Sequence, residues 1–143
     1  MSYVPFTPVG EALYALFQDA TLLALLSATG VVGDVPEDPI FPFLWYELLE
    51  TQQLGGFGTK PGTKALPEIE VRLHAFSDYA GGLKLNAILA RAIQLLADPP
   101  TVAGYSAWAV FHDRTVPAQD AEMDGVKVKE AVSLHRLYVE ESA

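Results

Sequence analysis

The sequence predicts an α+β domain in which N-terminal helices and one long helix pack on an antiparallel sheet of about four strands, in the order α-β-β-α-β-β. Three observations predict this class. Residues 68–76 alternate between apolar and polar side chains, which is the period of a half-buried strand. Residues 85–96 place apolar side chains three and four positions apart, as one face of a helix requires. The 143 residues contain no internal repeat, and residues 1–143 have the length of a single domain.

The N-terminal region has helical spacing. Apolar residues from Gly10 onwards follow a helical pattern, and Asp19 interrupts it. Asp19 is well placed to cap a second short helix, whose leucines continue to Leu26, by accepting a hydrogen bond from a first-turn amide. Residues 30–42 carry two glycines and three prolines, and we expect them to be irregular.

Residues 43–50 are rich in aromatic and branched side chains and predict the first strand. Both faces of this strand are largely apolar, so we expect it to be central or covered on both sides. A long glycine-rich loop, residues 51–67, follows. A loop of this length within a compact domain is usually functional or mobile, and we expect it to reach a neighbouring chain.

The second strand and the long helix organise the chain. One face of the strand is apolar and the other carries Glu68, Glu70, Arg72 and His74. A helix capped by Ser77 or Asp78 then becomes regular near residue 83 and ends before two prolines at 99 and 100.

The C-terminal part predicts two more strands, residues 105–112 and 126–139, joined by a polar connection over residues 113–125. Apolar residues change parity along the last strand. A β-bulge near His135-Arg136 would explain that change.

Composition excludes several functions. The formal net charge is −9, and residues 1–60 hold seven acids but one base, Lys60, so clustered cations for nucleic-acid phosphates are missing. The chain has no cysteine, which excludes disulfides and thiolate chemistry. No apolar run approaches the roughly 18–20 residues of a membrane span, and no secretory signal is expected. Half of the residues are hydrophobic, which favours an apolar surface kept for a protein partner.

No set of residues predicts catalysis or a cofactor. The three histidines, His74, His112 and His135, fall on predicted strands without a short ligand spacing, and we expect them to be structural rather than metal ligands. The serines lack a Gly-x-Ser-x-Gly elbow. Residues 55–58 are glycine-rich but lack the lysine of a phosphate-binding loop. Residues 120–125 lack the final glutamate of a calcium loop. The sequence therefore predicts a protein that is not an enzyme.

The whole chain resembles the tail-completion, or tail-terminator, proteins of phages with long non-contractile tails and of related gene-transfer particles. Four stretches carry the resemblance: residues 11–26, with a helix, an acidic break and a second leucine-rich piece; residues 39–46, a proline-aromatic approach to the first strand; residues 69–77, a strand running into the long helix; and residues 131–138, the closing strand. Their order and spacing supply the specificity.

The resemblance implies a structural virion protein. It would form a ring, usually a hexamer, on the finished tail tube, stop tube polymerisation and present a surface to the head connector. Its partners would be further copies of itself, the tail-tube protein and the head-completion protein, and DNA would pass through without specific binding. The implied location is the tail or neck of the virion, assembled in the cytoplasm of a bacterial host. The family has no catalytic residues, and no membrane is involved.

Two groups of residues are candidates for this role. A negative lumen lowers friction with DNA because it avoids phosphate contacts. The candidate acids facing the lumen are Glu47, Glu50, Glu68 and Glu70. The candidate axial contacts to tube and connector are Gly55, Gly56, Phe57, Gly58, Lys60, Lys64, Asp120, Glu122 and Asp124.

Other functions remain open at the level of sequence. A head-closure ring or a tail-tube subunit would share the apolar excess, but a tube subunit would polymerise in isolation. A small ferredoxin-like module binding a metabolite or peptide would fit the order of elements, but it leaves the long loop unexplained.

Overall fold

The computed structural model describes residues 6–54, 66–78, 83–123 and 125–141. Its elements in chain order are α1 (Phe6–Leu16), α2 (Ala20–Leu23), β1 (Val31–Val32), β2 (Phe43–Leu54), β3 (Leu66–Ser77), α3 (Leu83–Leu95), β4 (Tyr105–Met123) and β5 (Val126–Glu141). The strands of this described part form one sheet in the order β1-β2-β3-β5-β4, in which only β1 and β2 run parallel. The predicted α+β class is confirmed, but the sheet has five strands rather than about four.

β3 is the central strand, as its alternation predicts. It is antiparallel to β2 on one side and to β5 on the other. Ile69, Val71 and Leu73 are fully buried on the face that the helices cover, which we call the helix face. The residues between them point to the opposite face, which we call the open face. The register of β3 with its two neighbours is therefore fixed by this alternation, because a slip of one residue would turn the apolar side chains away from the helices.

The helices and the helix face form the main core. The apolar stripe of α3 packs on β3, β4 and β5, while α1 packs on β2. Fully burying one valine, leucine or isoleucine side chain contributes about 1.5–3 kcal/mol to the free energy of unfolding. The buried members of this core from the helices are Val9, Ala12, Leu13, Leu22, Leu85, Ile88, Leu89 and Ala92.

Asp19 caps α2 as predicted. Its carboxylate accepts a hydrogen bond from the Leu22 amide at 3.0 Å. The same carboxylate binds both Nε and Nη2 of Arg91 on α3, each at 2.9 Å. The hydrogen bonds from Arg91, then the one from Leu22, lower the pKa of Asp19 to about 2. One acid therefore joins the N-terminal helical region to the long helix.

Three predicted boundaries differ from the structure. α1 begins at Phe6, before the predicted Gly10. Pro8 is compatible with this start because it lies in the first turn, where backbone amides have no partner within the helix and the missing N–H is not needed. β2 runs to Leu54 and β3 starts at Leu66, so residues 51–54 and 66–67 of the predicted loop belong to strands, and residues 55–65 lie outside the described chain. The irregular segment 30–42 contains β1, which pairs with β2 over two residues.

The prediction of a polar connection over residues 113–125 is wrong. β4 continues to Met123, and β5 begins at Val126 directly opposite it. Gly125 has a φ of 82°, which a glycine adopts without strain, so the two strands form one long hairpin. This part of β4 was not recognised as a strand because it contains Pro117 and many polar side chains. Both are tolerated at the edge of a sheet, where a strand needs no alternating apolar pattern.

The β-bulge predicted near His135-Arg136 lies on the other strand. β5 keeps a continuous register with β3 from Lys129 to Tyr138. The register shifts occur in pairing with β4, including one between His112 and Arg114, where Asp113 is the additional residue. Apolar residues of β5 change parity because both of its faces are buried.

Candidate interaction surface

Charged residues from four strands form ion pairs across the open face. Glu47 on β2 lies opposite Arg72 on β3, and their side chains approach to 3.8 Å. Arg72 also binds Glu70 at 2.9 Å. Arg136 on β5 lies 3.7 Å from the buried Glu68 and 3.2 Å from Asp113. The central strand therefore places its polar residues where both neighbours supply charges of either sign.

His74 links this network across the sheet. Its Nε2 lies 3.1 Å from Glu47, and its Nδ1 lies 3.1 Å from Glu130 of β5. Its ring stacks on Trp45 with centroids 4.3 Å apart. Only the doubly protonated ring can donate a hydrogen bond to both carboxylates at once. We call Glu47, Glu68, Glu70, Arg72, His74, Asp113, Glu130 and Arg136 the charged network.

An apolar cluster adjoins the charged network. Phe43 and Phe76 stack with centroids 5.0 Å apart, and Val128 packs against them. Phe43 is fully buried although it lies on the open face, because the hairpin end supplies Ala121 and Met123 to the same cluster. The open face is therefore apolar at one end and charged along its middle.

Three of the four acids proposed for a lumen lie together. Glu47, Glu68 and Glu70 belong to the charged network, whereas Glu50 is paired in register with Ile69 of the helix face and its side chain is outside the described atoms. The network holds five carboxylates against two guanidinium groups and one imidazole. Its charges are partly compensated, with a remaining excess of acid.

The proposed axial contacts are only partly described. Asp120 and Glu122 lie on β4 near the hairpin end, opposite Lys129 and Lys127. Asp120 binds Lys129, and that hydrogen bond lowers the pKa of Asp120. Seven further candidates lie outside the described residues: Gly55, Gly56, Phe57, Gly58, Lys60, Lys64 and Asp124.

A groove of about 460 Å³ separates the start of α1 from β2. Three acids, Glu11, Asp34 and Glu47, contribute to its wall. Burial, followed by the nearby Tyr14 and Asp34, raises the pKa of Tyr46 in the same wall. The remaining lining residues are Phe6, Thr7, Gly10, Gly33, Trp45 and Leu48. We call this the α1–β2 groove.

A buried polar pair lies on the helix face of β5. Ser133 Oγ and His135 Nε2 are 2.9 Å apart, and both side chains are buried. Burial, with a smaller effect of the stacked His112, lowers the pKa of His135 to about 4. His135 is therefore neutral at pH 7, as expected of a structural histidine.

Within the described ranges, no group of three or more His, Asp and Glu side chains is placed to hold a metal ion. None of the described helices is both long and apolar enough to span a bilayer.

The same fold occurs in a virion. A chain of the structure described as "Virion of native gene transfer agent (GTA) particle" matches with a TM-score of 0.71. The match covers 97% of this chain and 99% of that chain, at 19% sequence identity. At 19% identity, the match shows that the two chains share a fold. No protein-family model matches the sequence, and no curated protein matches it.

Sequence reasoning missed the hairpin, the α1–β2 groove and the partners of His74. The dipeptide Asp124-Gly125 was an available signal for the hairpin, since this pair favours a two-residue turn. The groove and the partners of His74 had no such signal, because they depend on which strands become neighbours.

Proposed function

We propose that this protein is a tail terminator, a structural virion subunit that forms a ring on the tail tube, ends tube polymerisation and joins the tube to the head. The observation that carries the proposal is the shared fold with a chain of a gene-transfer-agent virion, which extends over nearly the full length of both chains. The resemblance of four sequence stretches to tail-completion proteins supports the same role independently.

The distribution of charge supports a ring around passing DNA. The charged network has more carboxylates than cations, and the whole chain carries a net charge of −9. A surface of this kind does not hold phosphates, so DNA slides past it. Glu47 and Glu70 are the acids of the open face that we assign to the lumen, whereas Glu68 is buried beside Arg136 and does not face it.

The exposed apolar side chains support association with other proteins. Tyr14 is 50% exposed, Ile40 is 56% exposed and Val126 is 54% exposed. These residues lie on α1, on the segment before β2 and at the hairpin end. A closed ring needs two different contact surfaces on every subunit, and separated apolar positions meet that requirement. These positions support a structural role in an assembly.

The solution mass of the purified protein, with and without tail tubes, tests the proposal. We expect a discrete species of about six chains, or a monomer that closes into rings only on tail tubes, because a terminator must stop after one ring. Open-ended filaments would instead identify a tube subunit. A monomer or dimer that does not respond to tail tubes would contradict the proposal and favour a small binding module.

A further inference from the structure

Among the described residues, β1 covers only part of one hydrogen-bonding edge of β2. β1 pairs with it only at Leu44 and Trp45. The Leu44 amide donates to the Gly30 carbonyl at 3.0 Å, so its backbone points away from β3. Because backbone groups alternate along a strand, those of Tyr46 and Leu48 point to the same side. Beyond Trp45, no strand of the described residues pairs with this edge.

The α1–β2 groove lies at this edge. β1 ends at Val32, and Gly33 and Asp34 then turn into the wall of the groove, facing the β2 residues that β1 leaves uncovered. An extended peptide entering the groove would continue the position of β1 and add a strand to the sheet. Recognition by strand addition uses main-chain hydrogen bonds for affinity and side-chain pockets for specificity.

The charge around the groove favours a basic occupant. All described residues of its wall belong to residues 6–54, which contain no lysine, arginine or histidine. Glu11 and Asp34 are exposed, so a cation beside them would not displace a buried partner. A second polypeptide with lysines and no acids would meet a complementary potential.

The chain itself contains one segment of this chemistry. Residues 51–67 include Lys60 and Lys64 and no acid, and their glycines and prolines suit an extended path. The other acid-free basic stretch, residues 79–97, is mostly the helix α3, and its Arg91 is bound to Asp19. The remaining cations lie close in sequence to acids.

Covalent geometry prevents the segment from occupying the groove of its own copy. Leu54 and Leu66 are paired neighbours, and Leu48 lies six residues back along β2, about 20 Å away. The twelve steps from Leu54 to Leu66 span at most about 43 Å when fully extended, while the round trip takes about 40 Å. No length would be left for a turn. Lys64, two steps before Leu66, could not reach Leu48 at all.

We propose that the α1–β2 groove binds residues 55–64 of a neighbouring copy, which add to the free edge of β2 with their lysines beside Glu11 and Asp34. This inference rests on the proposed ring and names the contact that joins one subunit to the next. The contact is head-to-tail, since the groove and the segment are different parts of the chain, and such contacts form a ring when the rotation from one subunit to the next closes.

Disulfide trapping tests this contact cleanly because the chain has no cysteine. The Asp34→Cys/Lys60→Cys variant should give disulfide-linked dimers and higher multimers on mild oxidation, in at least about tenfold excess over the control, because docking raises the effective concentration of the two thiols. The control is Glu37→Cys/Lys60→Cys, since Glu37 is exposed nearby but does not line the groove. Circular dichroism verifies that both variants fold.

The outcomes separate this contact from the proposed ring. Rings of normal mass without trapping in the Asp34→Cys/Lys60→Cys variant would overturn the docking and leave the ring intact. A disulfide within one chain would also overturn it, since the segment would then occupy its own groove. Trapping between copies of a protein that forms no ring would support the contact and contradict the terminator role.

A charge exchange gives a second readout without cysteine. Lys60→Glu/Lys64→Glu subunits alone should fail to associate, as should Glu11→Lys/Asp34→Lys subunits alone. Combining all four changes in one chain should restore association, because the interaction is attractive again with its signs reversed. Association that is unchanged in either double variant would exclude this contact.

Discussion

At the scale of single residues, His135 couples stability to pH. Its imidazole is buried on the helix face beside Ser133, and its pKa is lowered to about 4 from the ordinary 6.5. The unfolded chain therefore binds a proton more readily than the folded chain between these two values. The contribution of His135 to the free energy of unfolding is fully present above pH 6.5 and is lost as the pH falls towards 4.

We predict that the free energy of unfolding decreases by up to about 3 kcal/mol from His135 alone between pH 6.5 and 4, since one pKa unit corresponds to about 1.4 kcal/mol. Urea unfolding of the wild type and of the Ser133→Ala/His135→Leu variant measures the difference; the paired change avoids leaving the Ser133 hydroxyl without its partner. His112→Gln should reduce the pH slope only slightly, because the stacked His112 makes the smaller contribution to the lowered pKa of His135. Equal pH slopes in the wild type and the double variant would show that His135 does not titrate in this way.

Sequence predicted local residue roles better than distant ones. Asp19 was expected to cap a helix, and it does, because a cap depends on the amide three positions ahead. Its bond to Arg91 could not be expected, since α2 and α3 become neighbours only after both pack on the sheet. For the same reason, the polar row of β3 was predicted, but not the bridge that His74 makes between Glu47 and Glu130.

At the scale of elements, the β4–β5 hairpin depends on its turn. Gly125 adopts a φ of 82°, and a Cβ added there meets no atom within 4 Å, so backbone conformation and not space restricts this position. An L-residue in this conformation costs about 1–2 kcal/mol, with asparagine tolerated better.

We predict that Gly125→Ala lowers the free energy of unfolding by about 1 kcal/mol and that Gly125→Asn lowers it less. The matched control is Gly10→Ala in α1, where the added Cβ would make an ordinary 3.8 Å contact with Leu48. That substitution should raise stability by about 0.5–1 kcal/mol, since alanine favours a helix. Chemical denaturation measures all three, and a neutral Gly125→Ala would argue against the turn.

Elements with strong periodicity were predicted, whereas β1 at one edge of the sheet was missed and β4 at the other edge was recognised only over residues 105–112. The central β3 and the stripe of α3 were recognised because burial on one face imposes a pattern. β1 is too short to show a period, and β4 has a solvated edge, three register shifts and Pro117. A strand whose residues face water or a bulge has little reason to alternate.

At the scale of the whole molecule, acid and base are unevenly divided. The helices α1 and α2, together with β1 and β2, contain acids and no base, whereas β3 and the hairpin contain both and α3 contains only bases. One side of the sheet is therefore uniformly negative and its opposite side is mixed. In a ring, identical subunits would bring these unlike sides together at every contact.

We predict that deleting residues 55–63 leaves the domain folded and abolishes capping of tail tubes, because the deletion keeps every described strand and helix intact and removes Lys60 of the proposed contact. Far-ultraviolet circular dichroism and a thermal midpoint close to that of the wild type would show that the fold is kept. Electron microscopy would then show tubes of uncontrolled length. Tubes of normal length would show that residues 55–63 are not needed for capping.

The place of β5 in the sheet has a consequence for synthesis. β5 is the last strand of the described chain, yet it lies between β3 and β4 and covers one whole side of the central strand. While the ribosome is still making β4, β3 has only β2 beside it and exposes a hydrogen-bonding edge. The long-range pairing of β3 with β5 must wait until β5 has been synthesised. A nascent chain that lacks β5 cannot build the finished sheet.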